Sequence, residues 1–380
     1  MASVMFDTQV AILAGGSATR LRPLSFERPK ALCPVCNVSL LGRLLRQLES
    51  AGVERAVVSL PYVEEETKTL ALAAAPPGFH LDLSLPDGTF RGTVPTILGL
   101  LKPETSSVLV IYGDSLLSMD FGELMRFHRS ARQKGGLATI LYHRPADLRL
   151  AEKDERTYHG VMSVSRTGRV TQFVEKPRVE EIKPGFEMAN AAVFICEREL
   201  LERPDLKGAK DFSRDIFEPV VSNRLAPVYA RSIGDGFRYD VGSVSRFYDA
   251  NIKVLRRELR SYMPGKEEKP GFLVGERTQT NSAVVTPPVL LGDNVYLGQN
   301  VELGPDVVIG DGCRIGDGAV IRRTVMMGDC RIGDYAEADR SVLGPHCRVA
   351  GGVKLPPHTV LGPYGVGGAE AWPNWAEEVG

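Results

Sequence analysis

The sequence predicts an α/β domain on a mainly parallel sheet, followed by a parallel β-solenoid. Three observations carry that expectation. Between Gln9 and Leu259, β-like runs alternate with helical patterns, the order that a parallel sheet with covering helices requires. From Leu291 onward, aliphatic residues recur every six positions, a period unavailable to an α-helix, whose own is about 3.6. Between the two, Arg260 to Pro288 loses both patterns in charged sequence broken by Pro and Gly, including MPGKEEKPG. A length of 380 residues leaves room for two or three such bodies, each able to bury its own core.

In the first part the strand candidates are Val10–Leu13, Ala56–Leu60, Val108–Tyr112, Ala138–Tyr142, Gly160–Val164, Val170–Glu175 and Ala191–Cys196. Helices are expected at Leu40–Ala51, Phe121–Lys134, Phe212–Val221 and Ser243–Leu259. These patterns place the α/β domain over 1–259, a connector with room for an added strand over 260–288, the repeat over 289–366 and a tail over 367–380.

The repeat starts at Leu291, Leu297, Leu303, Ile309, Ile315 and Ile321, the first five each followed by Gly. It slips at Met326, resumes at Ile332, and continues through Leu343, Val349, Leu355 and Leu361. One flat strand per hexad suits a solenoid, and three hexads to a coil resemble the left-handed parallel β-helices of hexapeptide repeats. Residues 291–366 then make about four coils. Cys313, Cys330 and Cys347 each stand four places after a hexad start and are spaced by 17, so they should stack as an inward ladder. Neighbouring strands about 4.8 Å apart would allow a disulfide, but three small buried thiols packing together is the simpler assignment. The two tryptophans, Trp372 and Trp375, follow the last hexad, where a solenoid exposes its interior. They are expected to cap it or to meet another subunit.

Lys and Arg total 46 against 47 for Asp and Glu, so no overall field draws the chain to nucleic acid or an anionic membrane, and any anionic ligand must be held by local groups. No apolar run approaches the ~20 residues of a membrane span, and no basic residue precedes the short apolar run near the start as in a secretion signal. A cytoplasmic protein with reduced thiols is expected. Cys33 and Cys36 form CPVC, but without a second pair they read as small buried residues rather than a zinc or redox site.

Chemistry concentrates in Leu13-Ala14-Gly15-Gly16-Ser17-Ala18-Thr19-Arg20-Leu21-Arg22-Pro23, continuing to Arg28-Pro29-Lys30. Glycines directly after a first strand let backbone N–H groups approach an anion, and Arg20 and Lys30 add the charge a polyphosphate needs. The segment lacks the GK[ST] of a P-loop and does not match GxGxxG.

The full stretch GGSATRLRPLSFERPK resembles GGxGTRLxPxTxxxPK, the signature of the sugar-1-phosphate nucleotidyltransferases, also called NDP-sugar pyrophosphorylases. Ala18 stands in place of Gly and Ser25 in place of Thr. Further matches follow in the family's order. Tyr112-Gly113-Asp114 resembles its GD motif, Tyr158-His159-Gly160-Val161 its YG-V segment with one residue inserted, and Phe173-Val174-Glu175-Lys176-Pro177 its FxEKP. Asn190-Ala191-Ala192 resembles its NAG with Ala for Gly, and Tyr239-Asp240-Val241-Gly242 its [WY]-D-[VI]-G. Gly92-Thr93-Val94-Pro95-Thr96 stands where relatives carry the GTAGA that reads the base. The resemblance covers 9–259 and implies a Rossmann-like catalytic domain, to which a hexapeptide β-helix is a common attachment.

It also implies roles. Leu13, Gly15, Gly16, Ser17, Thr19, Gly92, Thr93 and Gly113 would line the nucleotide; Gly160, Glu175, Lys176 and Asn190 would hold the sugar phosphate. Arg20, Lys30, Asp114, Lys176 and Asp240 would form the catalytic set, with Asp114 and Asp240 as carboxylates for Mg²⁺; the lesser alternative for each Asp is a helix cap. The nucleophile would be an ionised phosphate oxygen attacking the α-phosphorus in line and releasing pyrophosphate, so no general base is needed. Mannose 1-phosphate with GTP and glucose 1-phosphate with another nucleotide both remain open, as does a homo-oligomer formed through the β-helix or tail. Three rival readings are a silent regulatory subunit, favoured by Ala18 and Ala192, an added acyltransferase activity based on His346 or His358, and a pure binding scaffold, which the five polar residues of the catalytic set disfavour.

Overall fold

The computed structural model describes residues 8–16, 18–61, 64–84, 92–144, 157 and 159–367. Ser17, Tyr158, Trp372 and Trp375 lie outside the described residues. By its contacts the chain divides into two units. One is Met1–Gly15, Leu44–Gly113 and Leu117–Arg238; the other is Gly16–Arg43, Asp114–Leu116 and Tyr239–Gly380.

The first unit carries a nine-stranded sheet. Its strands are β1 (Thr8–Leu13), β2 (Arg55–Ser59), β3 (His80–Ser84), β4 (Ser107–Tyr112), β5 (Ala138–His143), β6 (Val161–Val164), β7 (Val170–Val174), β8 (Met188–Glu197) and β9 (Val228–Ser232). The order is β7-β6-β8-β4-β1-β2-β3, with β5 on β8 and β9 on β5. β4, β1, β2 and β3 run parallel, Leu13 pairing Tyr112 on one side and Ser59 on the other. The long β8 is antiparallel to β4, β5 and β6, which makes the sheet mixed. Central β4 is apolar from Val108 to Ile111 and buried there on both faces, as a parallel strand between helical layers must be.

Helices α1 (Leu40–Ser50) and α4 (Phe121–Gln133) stand where their apolar periodicity put them, and Asp120 caps α4 by accepting the Glu123 N–H at 2.8 Å. Helices α2 (Glu65–Ala73) and α3 (Thr93–Leu100), like β3 and β9, were not among the expected elements. In α3, Pro95 and Gly99 obscure the pattern, although Pro falls in the first turn, where no N–H is needed. The helix expected over 212–221 opens as a π-turn, Phe212–Phe217, before continuing over Glu218–Ser222. Phe173, Phe194, Phe212 and Phe217 meet in the core, with Phe194 4.6 Å from Phe212 and 4.9 Å from Phe217 between ring centroids.

The second unit contains α5 (Val244–Leu255) and a β-helix of three parallel faces. The first face stacks Phe272–Val274, Val289–Leu291, Val307–Ile309, Val325–Met326, Val342–Leu343 and Val360–Leu361. The second stacks Val284–Val285, Glu302–Leu303, Val320–Arg322 and Glu337–Asp339. The third stacks Tyr296–Leu297, Arg314–Ile315, Arg331–Ile332, Arg348–Val349 and Val366–Gly367. Phe272 pairs with Val289, so the first coil begins inside 260–288, where a connector was expected, and the solenoid is longer than about four coils. The slip at Met326 is a coil one residue shorter: Val289 pairs with Val307, but Val308 with Val325.

The glycines after the aliphatic positions have a steric cause. Asp311 Oδ1 accepts the Asp293 N–H at 2.8 Å and Asp317 Oδ1 the Gln299 N–H at 2.7 Å, one coil back each time. A Cβ at Gly292 or Gly298 would collide with those carboxylates. Cys313, Cys330 and Cys347 are fully buried free thiols stacked coil over coil, as expected. On the first face the outward residues Leu290 and Val308 are buried too, because α5 packs on Val307–Ile309. Asn37 Nδ2 donates to the Ile309 carbonyl at 2.8 Å, Tyr248 OH to the Arg323 carbonyl at 2.9 Å, and Arg256 forms a two-pronged pair with buried Asp306. Gly362 in the last coil lies against Pro23, where a Cβ would come within 2.8 Å of the proline Cβ. Among the described residues, no helix is long and apolar enough to cross a membrane.

Candidate active site

In the second unit Lys30 opens a short turn (Lys30–Leu32) after Pro29, and its side chain is only 10% exposed. Its ammonium lies 3.3 Å from Asp114 Oδ2 and 2.9 Å from Asp240 Oδ1. Three of the five residues expected to form the catalytic set are thus gathered by direct ion pairs. Asp240 ends the strand Phe237–Asp240, which pairs with Ser115–Ser118, and the Ser115 hydroxyl donates to Asp114 Oδ1 at 3.3 Å. A Cβ at Gly242 would stand 2.7 Å from Asp240 Oδ2, so that glycine leaves the carboxylate its space. Tyr239 is held by its hydroxyl on Asp249.

One ammonium between two partly exposed carboxylates offers hard oxygen donors with negative charge in excess. Among the described residues no three Asp, Glu, His or Cys side chains gather as a full metal cage. Two carboxylates fit magnesium, which commonly takes one or two and fills its other positions with water and phosphate oxygens.

The loop before Lys30 is exposed at Gly15, Gly16, Thr19 and Arg20. Neither glycine is crowded, a Cβ at each meeting nothing within 4 Å, so the chain's own packing does not require them. Their bareness leaves the backbone open to a ligand. Ala18 adopts a left-handed conformation (φ 45°, ψ 36°), and its carbonyl accepts the Ser25 hydroxyl at 2.9 Å. Both departures from the family signature therefore meet in one turn.

In the first unit the Gly113 N–H donates to the Leu13 carbonyl at 2.9 Å. Gly92 has φ 119° and would drive a Cβ to 2.5 Å from the Lys210 carbonyl, which also accepts from Val94 N–H (3.0 Å) and Thr93 Oγ1 (3.3 Å). Gly160, Glu175 and Asn190 come together. A Cβ at 160 would be 2.5 Å from Glu175 Oε2, and the Asn190 N–H donates to the Gly160 carbonyl at 2.8 Å. Burial pushes the Glu175 carboxyl above the usual range, with Asp211 adding to it and the Ser213 hydrogen bond opposing it. Lys176 (φ 48°) and Ala192 (φ 57°) are both left-handed; the Ala192 N–H donates to Asn190 Oδ1 at 2.9 Å, where β8 slips register.

Sequence reasoning missed the segment Lys210–Ser213. Lys210 touches Gly92 and Thr93, and the Ser213 hydroxyl joins Asn190 Nδ2 (3.3 Å) to Glu175. No motif marks it; its only trace was the helix expected from Phe212. His143 was missed as well. It is the Cα partner of Ala189, its ring meets His159 edge-on at 5.4 Å, and its Nε2 is buried without a hydrogen-bond partner among the described residues. Burial, then Arg238 and His159, pushes its pKa down to about 3.

Cys33 and Cys36 are fully buried, and burial pushes their thiols up to about 11 and about 12. Cys36 Sγ donates to the Asn251 carbonyl at 3.3 Å, so the CPVC segment is packing, as expected. His346 and His358 stand at turn positions, His346 stacked on Tyr364 at 4.8 Å.

A family model described as "Nucleotidyl transferase" matches residues 9–257, and one described as "GMPPB C-terminal domain" matches 282–366. The chain is 27% identical to a UTP–glucose-1-phosphate uridylyltransferase of Synechocystis over 74% of its own length and 73% of the relative's. It is 26% identical to a mannose-1-phosphate guanylyltransferase catalytic subunit beta of Danio rerio (74% and 72%). With a mannose-1-phosphate guanylyltransferase of Mycobacterium tuberculosis it shares 25% (75% and 73%).

Proposed function

Because the chain belongs to the nucleotidyl transferase family, we propose that it transfers a nucleotidyl group from a nucleoside triphosphate to a hexose 1-phosphate, giving an NDP-sugar and pyrophosphate. The observation that carries this reading is Lys30 held between Asp114 and Asp240. The names of the relatives support GDP-mannose or an NDP-glucose as the product. Left-handed Ala18 and Ala192 keep the backbone that glycine would take, which favours an active enzyme over a silent subunit.

In this reading the open backbone at Gly15 and Gly16 and the Arg20 guanidinium receive the leaving phosphates. Lys30, fixed in advance by its two carboxylates, presents its charge to the α-phosphate without having to reorganise. Asp114 and Asp240 would hold Mg²⁺, which when bound offsets phosphate charge. Lys176 neutralises the sugar phosphate, while Glu175 and Asn190 bond sugar hydroxyls, oriented by Ser213. Gly92 and Thr93 face the base. The attacking oxygen is already ionised, so positioning and charge stabilisation do the work. Residues 1–259 would form the catalytic domain and the β-helix and tail would mediate homo-oligomer assembly in the cytoplasm.

The test is a pyrophosphate-release panel of GTP, UTP, dTTP, ATP and CTP against mannose, glucose and N-acetylglucosamine 1-phosphates, with Mg²⁺ or EDTA. Metal-dependent release from one pair, lost by about 100-fold or more in Asp114→Asn, is expected. Silence of every pair in folded, metal-loaded protein would overturn the catalytic reading.

A further inference from the structure

The third face of the β-helix carries a row of arginines. Arg314 pairs in register with Arg331, and Arg331 with Arg348, with Tyr296 before the row and Val366 after it. All three arginines are exposed, and strands of this kind lie about 4.8 Å apart. Like charges directly opposite in a ladder are destabilising, so the fold gains nothing from this arrangement by itself.

No carboxylate among the described residues pairs with any of the three. Of the acids nearest in sequence, Asp311, Asp317 and Asp334 are turned onto the backbone N–H groups of Asp293 (2.8 Å), Gln299 (2.7 Å) and Asp317 (2.9 Å), and Asp329 Oδ2 stands 3.9 Å from His346 Nδ1. Elsewhere in the same β-helix three cations meet a carboxylate of a neighbouring coil. Arg322 meets Glu302 at 2.7 Å, Lys354 meets Glu337 at 2.7 Å, and Arg323 meets Asp339. The arginine row has no such partners.

With Tyr296, Gly316, Gly333 and Val366 the row lines a shallow, open cleft of about 550 Å³. We propose that this cleft binds an anion bearing a chain of phosphates, Arg314, Arg331 and Arg348 each engaging successive phosphate oxygens. Guanidinium forks match phosphate geometry two bonds at a time, and only an extended anion can reach consecutive rungs. Tyr296, 39% exposed at the end of the row, presents a ring beside the phosphates. A free polyphosphate and the phosphate chain of a nucleotide share this chemistry. The site uses none of the residues assigned to catalysis, and it stands whether or not that assignment does.

The experiment is calorimetric titration of the full chain, without divalent metal, using sodium tripolyphosphate, inorganic phosphate and GTP as probes. Tripolyphosphate should bind at least about tenfold more tightly than phosphate, and Arg331→Gln should weaken that binding by about tenfold or more. Because tripolyphosphate could also reach the Arg20 loop, Arg20→Gln is titrated in parallel and should keep the Arg331-dependent site. Arg331→Gln should melt no lower than wild type in anion-free buffer, since it relieves repulsion. Loss of GTP binding alone in Tyr296→Ala identifies a nucleotide; no effect of that change on either probe identifies a free phosphate chain. Identical titrations of Arg331→Gln and wild type would overturn the proposal. So would a change in sedimenting species with binding unaltered, which would make the face a contact between copies of the chain.

Discussion

Lys30 Nζ stands 2.9 Å from Asp240 Oδ1 and reaches Asp114 Oδ2 with the same ammonium, so a single cation holds together two carboxylates far apart in sequence. Lys30→Met leaves those carboxylates facing each other without a counter-charge. Activity should fall by about 100-fold or more. Thermal stability should fall as well, and that loss should be larger in EDTA than in millimolar Mg²⁺, because a bound divalent cation would replace the missing charge. Melting curves of wild type and variant with and without Mg²⁺ check this. Equal destabilisation in both buffers would remove the two carboxylates from the metal assignment.

Ala18 and Ala192 occupy left-handed backbone, which costs an L-residue about 1–2 kcal/mol. Replacing either by glycine removes that strain but adds about 0.4–1 kcal/mol of unfolded-state entropy. The expected net effect is a melting temperature equal to or slightly above wild type for both Ala18→Gly and Ala192→Gly. Ala131→Gly in the last turn of α4 is the contrast and should lose up to about 1 kcal/mol. Losses at 18 and 192 as large as at 131 would show that neither site is strained.

These alanines also mark how far the sequence could be read. Their motif positions were visible, but the reason a glycine belongs there appears only once φ is known. The β-helix was legible because its six-residue period repeats many times and its first five aliphatic positions are followed by glycine, which at 292, 298 and 316 the Asp of the next coil requires. Its first coil was not legible, since Phe272–Val274 stands alone amid charged residues and gains its meaning from pairing with Val289–Leu291. In the site, Asp114, Asp240 and Lys30 were readable through the motifs that resemble the family's, GGSATRLRPLSFERPK, Tyr112-Gly113-Asp114 and Tyr239-Asp240-Val241-Gly242. Ser213 and His143 were not. Their importance comes from what lies across the sheet, Asn190 and Glu175 for one and Ala189 and His159 for the other, and a linear pattern does not encode such contacts.

Gly362 touches Pro23, three residues beyond Arg20, within one compact unit. Any side chain at 362 must displace the loop, and a shift of about 1 Å in a phosphate-holding group can cost two orders of magnitude in rate. Gly362→Ala should therefore lower kcat/KM by about tenfold or more while the melting temperature changes by only a few degrees. Steady-state kinetics beside a melting curve separate the two effects. Unchanged kinetics would mean that the loop does not lean on the last coil during turnover.

His143 supplies an acid-sensitive element. Its folded pKa of about 3, set by burial and then by Arg238 and His159, lies below the ~6.5 of an unfolded chain. As pH falls through 6.5 the unfolded state takes up a proton that the folded state refuses. The stability tied to this group is complete above about pH 6.5 and is lost progressively toward pH 3, at a limiting rate of ~1.4 kcal/mol per pH unit. Glu175 works in the opposite sense: its raised pKa makes the folded state the better proton acceptor just above the usual carboxylate range. The two can be separated by substitution. His143→Phe removes the charge requirement while keeping an aromatic ring against His159, so its melting temperature should decline less between pH 7 and pH 5 than that of wild type. Glu175→Gln should leave the histidine-dependent decline in place. If the His143→Phe curve runs parallel to wild type over that interval, the imidazole is protonated at no cost in the folded protein, and the acid sensitivity must come from another group.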